Sequence, residues 1–408
     1  MARICVIVAW YFPRDARVSR EVRALVAAGH VVDVICVPRP GEPRVERDGQ
    51  VSIYRLPIAR RRGGVFRYFF EFVTFQLAAT LLAGALHLRH RYDLIQVASL
   101  PDWLVFAAVV PRLLGARVLL DLHECMPEWG ATKYKLPLRH PVVRLLSWLE
   151  QASIRFANYV ITCTQPMRQR FIERGATAEK IDVVLNSFDE EQFEPRRYLR
   201  AKRESDEFVL VSHGTIEENY GLDIIVRAVA LLKERIPSLR LRLYGSGTHR
   251  KSVVALAEEL GLNDRVWFSP GWVPIDELLP ALGEADVGVI AVRRDAFRDL
   301  THCIKMYDFI TLRKPLIISR TRAVTEAFGD ECFQIFESGD ERDLARAIYE
   351  VYADPALRER LVTRATERNE PYRWVHQRRR YVEIVDRLVS EHAAKPSGHL
   401  IAEGNEDR

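Results

Sequence analysis

The sequence predicts two Rossmann-like, doubly wound α/β domains facing a central cleft. Three observations carry that expectation. The chain has 408 residues, too many for one ordinary core. Short β-branched runs alternate with helical patterns along nearly its whole length. The alternation breaks once, in a charge-dense stretch at 191–207, and then starts again.

The first series has strand-like runs at 4–8, 31–37, 94–97, 118–120, 160–162 and 183–185. They are apolar throughout rather than alternating, as strands of a parallel sheet covered on both faces must be. A helix is expected over 18–28, closed by Gly29, and another over 103–114, closed by Gly115. A third, over 141–156, opens at Pro141, which suits a first turn. The second series has strands at 208–212, 239–244, 266–269, 287–291, 316–318 and 333–336. Helices are expected over 222–233 and 252–260, and again over 340–353, 356–369 and 374–391. The expected organisation is a first domain over 1–190, a linker over 191–207 and a second domain over 208–373. A polar, flexible tail is expected over 393–408.

Composition narrows the class. Hydrophobic residues make up 48% and charged residues 28%, which excludes a disordered or collagen-like chain. A net charge of +5 over this length does not call for a nucleic-acid partner. The six cysteines form no C-x-x-C pair and have no zinc-ligand spacing, so free thiols in a reducing compartment are expected. The start of the chain lacks signal-peptide regions, which points to the cytoplasm. The apolar stretch 71–89 is slightly short for a spanning helix. It is expected to be a buried helix covering a sheet. The neighbouring Arg60, Arg61, Arg62 and Arg67 could touch an anionic membrane surface.

Ligands of such folds lie where strand ends meet helix starts. Tyr244-Gly245-Ser246-Gly247 and Ser212-His213-Gly214-Thr215 are Gly-bearing strand exits that permit close backbone approach to a phosphate. A tight turn would explain each equally well. Arg250 stands where a third dinucleotide-motif glycine would fall, which disfavours NAD. Lys305 and Asp308 lie three apart on one helical face. The cation could neutralise a diphosphate, and the carboxylate could accept from ribose hydroxyls. Glu326 stands near a later helix start. His123, followed by Glu124, leaves the strand 118–120 and is the best general-base or sugar contact of the first half. No Asp-x-Asp, H-E-x-x-H, G-x-S-x-G or P-loop occurs, so no metal or cofactor is expected.

These segments resemble retaining glycosyltransferases of the GT-B fold, of glycosyltransferase family 4. The likeness is carried by Ile304-Lys305-Met306-Tyr307-Asp308-Phe309, then Lys314-Pro315-Leu316-Ile317-Ile318-Ser319, then Glu326. Tyr11-Phe12-Pro13 with Arg17, Leu122-His123-Glu124, His213-Gly214-Thr215 and Gly245-Ser246-Gly247 support it. The resemblance implies that Lys305 binds the donor diphosphate, Asp308 the ribose, and that Glu326 faces the donor. It implies that His123 touches the transferred sugar and that backbone at Gly214, Thr215, Gly245 and Val273 meets the diphosphate and base. Arg17 and Glu124 become acceptor-side candidates. The final helix, 374–392, is implied to return to the first domain.

Two departures stand out. The family's first carboxylate falls at Leu300, with Asp299 beside it. Its cations after the first strand of the second domain are replaced by Glu218, Asn219 and Tyr220. Arg298, Arg320 and Arg322 are the candidates to make good the lost charge. The implied function is metal-independent transfer of a sugar, with retention, from a nucleotide-diphosphate sugar to a glycan or lipid-linked acceptor. It would serve surface polysaccharide or glycolipid synthesis, in the cytoplasm or peripherally at the inner face of the plasma membrane. A sugar-nucleotide epimerase and a catalytically silent nucleotide-sugar-binding or membrane scaffold protein are the alternatives.

Overall fold

The computed structural model describes residues 1–58, 65–199 and 206–393. Arg60, Arg61 and Arg62, part of the 191–207 stretch, and the tail from 394 lie outside the described residues.

The first sheet has eight strands: β1 (Arg3–Tyr11), β2 (Val31–Val37), β3 (Val45–Asp48), β4 (Val51–Arg55), β5 (Leu94–Ala98), β6 (Arg117–Leu122), β7 (Tyr159–Thr162) and β8 (Ile181–Val183). Their order is β3-β4-β2-β1-β5-β6-β7-β8. β1 lies parallel between β2 and β5, and β5 is parallel to β6. The short strand β3 runs antiparallel to β4 at the edge. The second sheet has six: β9 (Phe208–His213), β10 (Leu239–Tyr244), β11 (Val266–Phe268), β12 (Val287–Ile290), β13 (Leu316–Ser319) and β14 (Gln334–Phe336). Their order is β11-β10-β9-β12-β13-β14, with every resolved pairing parallel.

Both sheets are therefore Rossmann-like. The order reverses between β1 and β5 in the first and between β9 and β12 in the second. Doubly wound sheets open a ligand crevice at such points. β9 shows why the strands read as unbroken apolar runs. Phe208 and Leu210 join one core, Val209 and Val211 the other, so both faces are covered.

By its internal contacts the chain falls into two compact units. One comprises Met1–His123, Leu149–Ile161 and the chain from Arg378. The other comprises Glu124–Trp148 and Thr162–Gln377. The last helix, Trp374–Ala393, buries Tyr381, Ile384, Val385 and Leu388 at i, i+3, i+4 and i+7, one face of a helix.

Three local expectations are corrected. Residues 102–113 are a 3₁₀ helix, Asp102–Ala108, followed by a short α-helix, Val109–Leu113, rather than one continuous helix. The β3–β4 hairpin was not legible in advance, because β3 is exposed along its length and shows no apolar alternation. The apolar stretch is a 26-residue helix, Val65–His90, that covers the sheet with one face only. Phe75, Ala79, Ala83 and His87 are buried at a four-residue spacing, whereas Phe70, Leu77, Leu81 and Leu88 are exposed. By length and composition Phe70–His90 could cross a membrane.

Leu388 is 2% exposed, in the part of the last helix that groups with the first unit. Leu388→Ala should cost ~2–5 kcal/mol. Hydrogen exchange should then rise in β5 and β6 before it rises in β9 and β10, measured by mass spectrometry.

Candidate active site

In the second unit, three strand exits are laced together. β9 ends in His213, and the amide of Gly214 donates to the Tyr244 carbonyl at 2.8 Å. The Gly245 amide donates to Ser269 Oγ at 2.9 Å, and that hydroxyl donates to the Gly271 carbonyl at 2.7 Å. This joins the exits of β9, β10 and β11, with Val273 two residues further on. Gly214 and Gly245 both have positive φ, +103° and +140°. A Cβ on Gly245 would overlap the Gly214 carbonyl, and one on Gly214 would overlap Lys305 Cε. Among the described residues, the amides of Thr215, Ser246 and Gly247 have no intramolecular acceptor.

Lys305 opens the helix Lys305–Thr311, which follows the exit of β12. Its Nζ lies 4.1 Å from the centre of the Tyr220 ring, and Arg298 Cζ lies 4.8 Å from the same centre. Neither cation has a carboxylate within ion-pair distance among the described residues. Burial pushes the Lys305 ammonium below its usual range. The Arg298 charge adds to this, while Cys303 and Asp308 oppose it. Asp308, one turn on, meets His213 Nε2 at 3.3 Å. The His213 ring stands edge-on to Phe309.

The two cations beside Tyr220 therefore come from the segment that follows β12. Of the three candidates, Arg298 reaches Tyr220. Arg320 is held by Asp330 and Glu337, and Arg322 pairs with Glu326 at 2.6 Å. The exposed Glu326 is thus tied to its own helix and makes no direct contact with Lys305 or Asp308. Leu300 is a core residue at 2% exposure. Asp299 holds Arg294 Nε and the Arg322 amide, each at 2.9 Å. Thr215 is exposed and Val273 half-buried.

In the first unit, Asp15 caps the helix Ala16–Ala27 and pairs with Arg17 at 3.1 Å. Burial alone would raise the Asp15 carboxyl, but Arg17, with His123 assisting, holds it below its usual range. His123 follows β6 and is buried. Its amide donates to Ser99 Oγ at 3.1 Å, and its Nε2 meets Asp121 Oδ2 at 2.5 Å. Glu21 is buried beside them. Donor atoms of Glu21, Asp121 and His123 lie within 4.8 Å of one another, close enough to be weighed as a metal site. The direct Asp121–His123 contact turns two of those donor atoms toward each other. Glu124 follows at intermediate exposure and groups with the other unit. Glu21 gave no sequence signal, being some hundred residues from its partners.

Residues 15–187 match the family model described as a glycosyl transferase 4-like domain. Residues 196–368 match the one described as glycosyl transferases group 1. The chain belongs to the GT-B glycosyltransferase family. It is 29% identical over 262 residues to EpsD of Bacillus subtilis (strain 168), covering 62% of this chain and 64% of that one. Its fold is similar to that of sucrose-phosphate synthase from Thermosynechococcus elongatus. The TM-score is 0.75 at 21% identity, over 96% of this chain and 100% of the other. It is also similar to Anabaena Alr3699/HepE, solved in complex with UDP and glucose. There the TM-score is 0.68 at 15% identity, over 95% of this chain and 100% of the other. These two likenesses carry the fold.

A strap behind the second-unit site of this GT-B member had no signal in the sequence pattern. His302 Nδ1 accepts from the Tyr307 hydroxyl at 2.7 Å, and its Nε2–H donates to the Ala323 carbonyl at 3.1 Å. The helices that carry Lys305 and Glu326 are thereby joined. Burial pushes the imidazole down to about 4, with the Ala323 carbonyl opposing. The unfolded chain accepts this proton below roughly pH 6.5, the folded chain only near 4. Stability should fall as pH drops through that window and level off below it, by up to roughly 3 kcal/mol. Urea unfolding at pH 7 and 4.5 measures the loss, and His302→Gln should remove it.

Proposed function

We propose that this chain transfers a sugar from a nucleoside-diphosphate sugar to a glycan or lipid-linked acceptor, with retention and without a metal. The observation that carries this reading is the pair of uncompensated cations, Lys305 and Arg298, over Tyr220. They lie beside a glycine exit whose neighbouring amides are unpaired. A dianionic leaving group is the ligand such a site needs. Negative charge grows on the leaving oxygen as the sugar–oxygen bond breaks, and fixed cations and amides stabilise it there. Asp308, steadied by His213, suits ribose hydroxyls. In front-face transfer the departing phosphate takes the acceptor's proton as the new bond forms on the same face. The core residue Leu300 in place of a carboxylate is then no obstacle. The proposed role of Glu326 is indirect, through Arg322.

The exposed face of Val65–His90, with Phe70, Leu77 and Leu81 between Arg67 and Arg89, suits an anionic leaflet. This fits a cytoplasmic enzyme sitting peripherally where lipid-linked acceptors are found, in polysaccharide or glycolipid synthesis.

A thermal-shift screen against UDP, GDP, ADP and dTDP sugars should find one donor that raises the melting temperature. With that donor, Lys305→Ala should lower nucleotide release by ~100-fold or more and Arg298→Gln by ~10-fold or more, with folding intact. Wild-type turnover in both variants would remove the cation pair from the mechanism. EDTA should leave turnover unchanged. Nucleotide release that depends on acceptor separates transfer from epimerisation. Leu77→Asp with Leu81→Asp should abolish flotation with phosphatidylglycerol vesicles, and Arg60, Arg61 and Arg62 changed to Glu should weaken it.

A further inference from the structure

Five buried side chains adjoin one another in the first unit, two of the contacts being hydrogen bonds and one an ion-pair contact. Tyr381, on the last helix, donates its hydroxyl to Gln96 Oε1 at 2.5 Å. That contact fixes the amide, so Gln96 Nε2 donates to Glu21 Oε2 at 2.7 Å. Glu21 adjoins Asp121, and Asp121 meets His123 Nε2 at 2.5 Å. Gln96 is on β5, Asp121 on β6 and Glu21 on the helix Ala16–Ala27. All five are buried.

We propose that Asp121 and Glu21 are positioning residues for His123: Asp121 holds the imidazole through Nε2 and keeps it cationic, while Glu21 retains its own proton and so leaves the pair's single negative charge on Asp121. The effect of this on sugar transfer rests on the function proposed above; the cluster itself does not.

Charge counting supports the assignment. Two carboxylates this close and this buried do not both ionise at neutral pH. The groups facing them are Asp15, Arg17, Arg20, His123 and Tyr381. Arg17 is engaged by Asp15. The titratable group in direct contact with Asp121 is the His123 imidazole. Burial raises Glu21 to about 8, with the Asp121 charge adding and His123 and Arg20 opposing. It raises Asp121 to about 7, with Arg17 and Arg20 opposing and Asp15 adding. Asp121 is the carboxylate that touches the imidazole, so the geometry places the negative charge there. The Gln96 amide, donating to one Glu21 oxygen, leaves the other free to carry a proton.

The test uses histidine-labelled full-length protein and NMR from pH 5 to 9, with the His123 signal identified by its loss in His123→Gln. The expected wild-type midpoint lies above the ordinary ~6.5. Asp121→Asn should bring it to or below that value. Glu21→Gln should remove a second inflection near pH 8. Circular dichroism checks that each variant is folded, and Glu21→Gln serves as the isosteric variant should Asp121→Asn unfold. With the donor found by the thermal-shift screen, Asp121→Asn should lower kcat by ~10-fold or more with donor KM changed less than twofold. Equal His123 midpoints in wild type and Asp121→Asn overturn the ion pair. An unchanged kcat in folded Asp121→Asn overturns the positioning role. A protein that turns over no nucleoside-diphosphate sugar overturns the transferase reading instead, and the titration still decides the cluster.

Discussion

An ammonium and a guanidinium share one tyrosine ring, and among the described residues no carboxylate lies within ion-pair distance of either. A cation over an aromatic face gains ~0.5–2 kcal/mol, while burial of an unpaired charge costs more than that. Lys305 and Arg298 are therefore two costly charges that a bound anion would stabilise. Much of the second unit's local structure serves that arrangement. Gly214 has no side chain because Lys305 fills the space a Cβ would take. Ser269 holds the β10 exit against the β11 exit. His302 joins the helix that begins with Lys305 to the next one. Each contact is ordinary, but together they fix two positive charges that would otherwise move apart.

The position of this pair follows from sheet order. β9 and β12 diverge at the switch point of the second sheet. The loop leaving β9 brings Tyr220, and the loop leaving β12 brings Arg298 and Lys305. Helices that must cover opposite faces of a parallel sheet leave a gap between their first turns. The gap is a by-product of burying both faces, and it is where a ligand can meet backbone amides.

How legible this was depended on the range of each signal. Both sheets could be read from the chain, because strands such as β5 and β9 are apolar on both faces. Lys305 and Asp308 could be read because three residues of helix place them together. The cation that compensates for Tyr220 could be narrowed only to three arginines. Choosing Arg298 required knowing that Asp330, Glu337 and Glu326 take the other two. A cation that reaches Tyr220 from another loop is something a motif of fixed spacing does not register. The exposed, polar β3 and the one-sided burial of Val65–His90 were hidden for another reason. Periodicity reports which residues could be buried, and tertiary packing decides which are.

The two units carry different chemistry for a physical reason. Arginine stays charged at any working pH, so Arg298 can stabilise a leaving group without tuning. An imidazole changes charge within the working range, and its neighbours decide where. The acidic residues that do so, Asp15, Glu21 and Asp121, are accordingly gathered around His123 rather than around Lys305. Leu300 is a core residue, and neither Lys305 nor Arg298 has a carboxylate within ion-pair distance among the described residues. On the proposed reading the fixed cations and the titratable cluster are thus built on different strands.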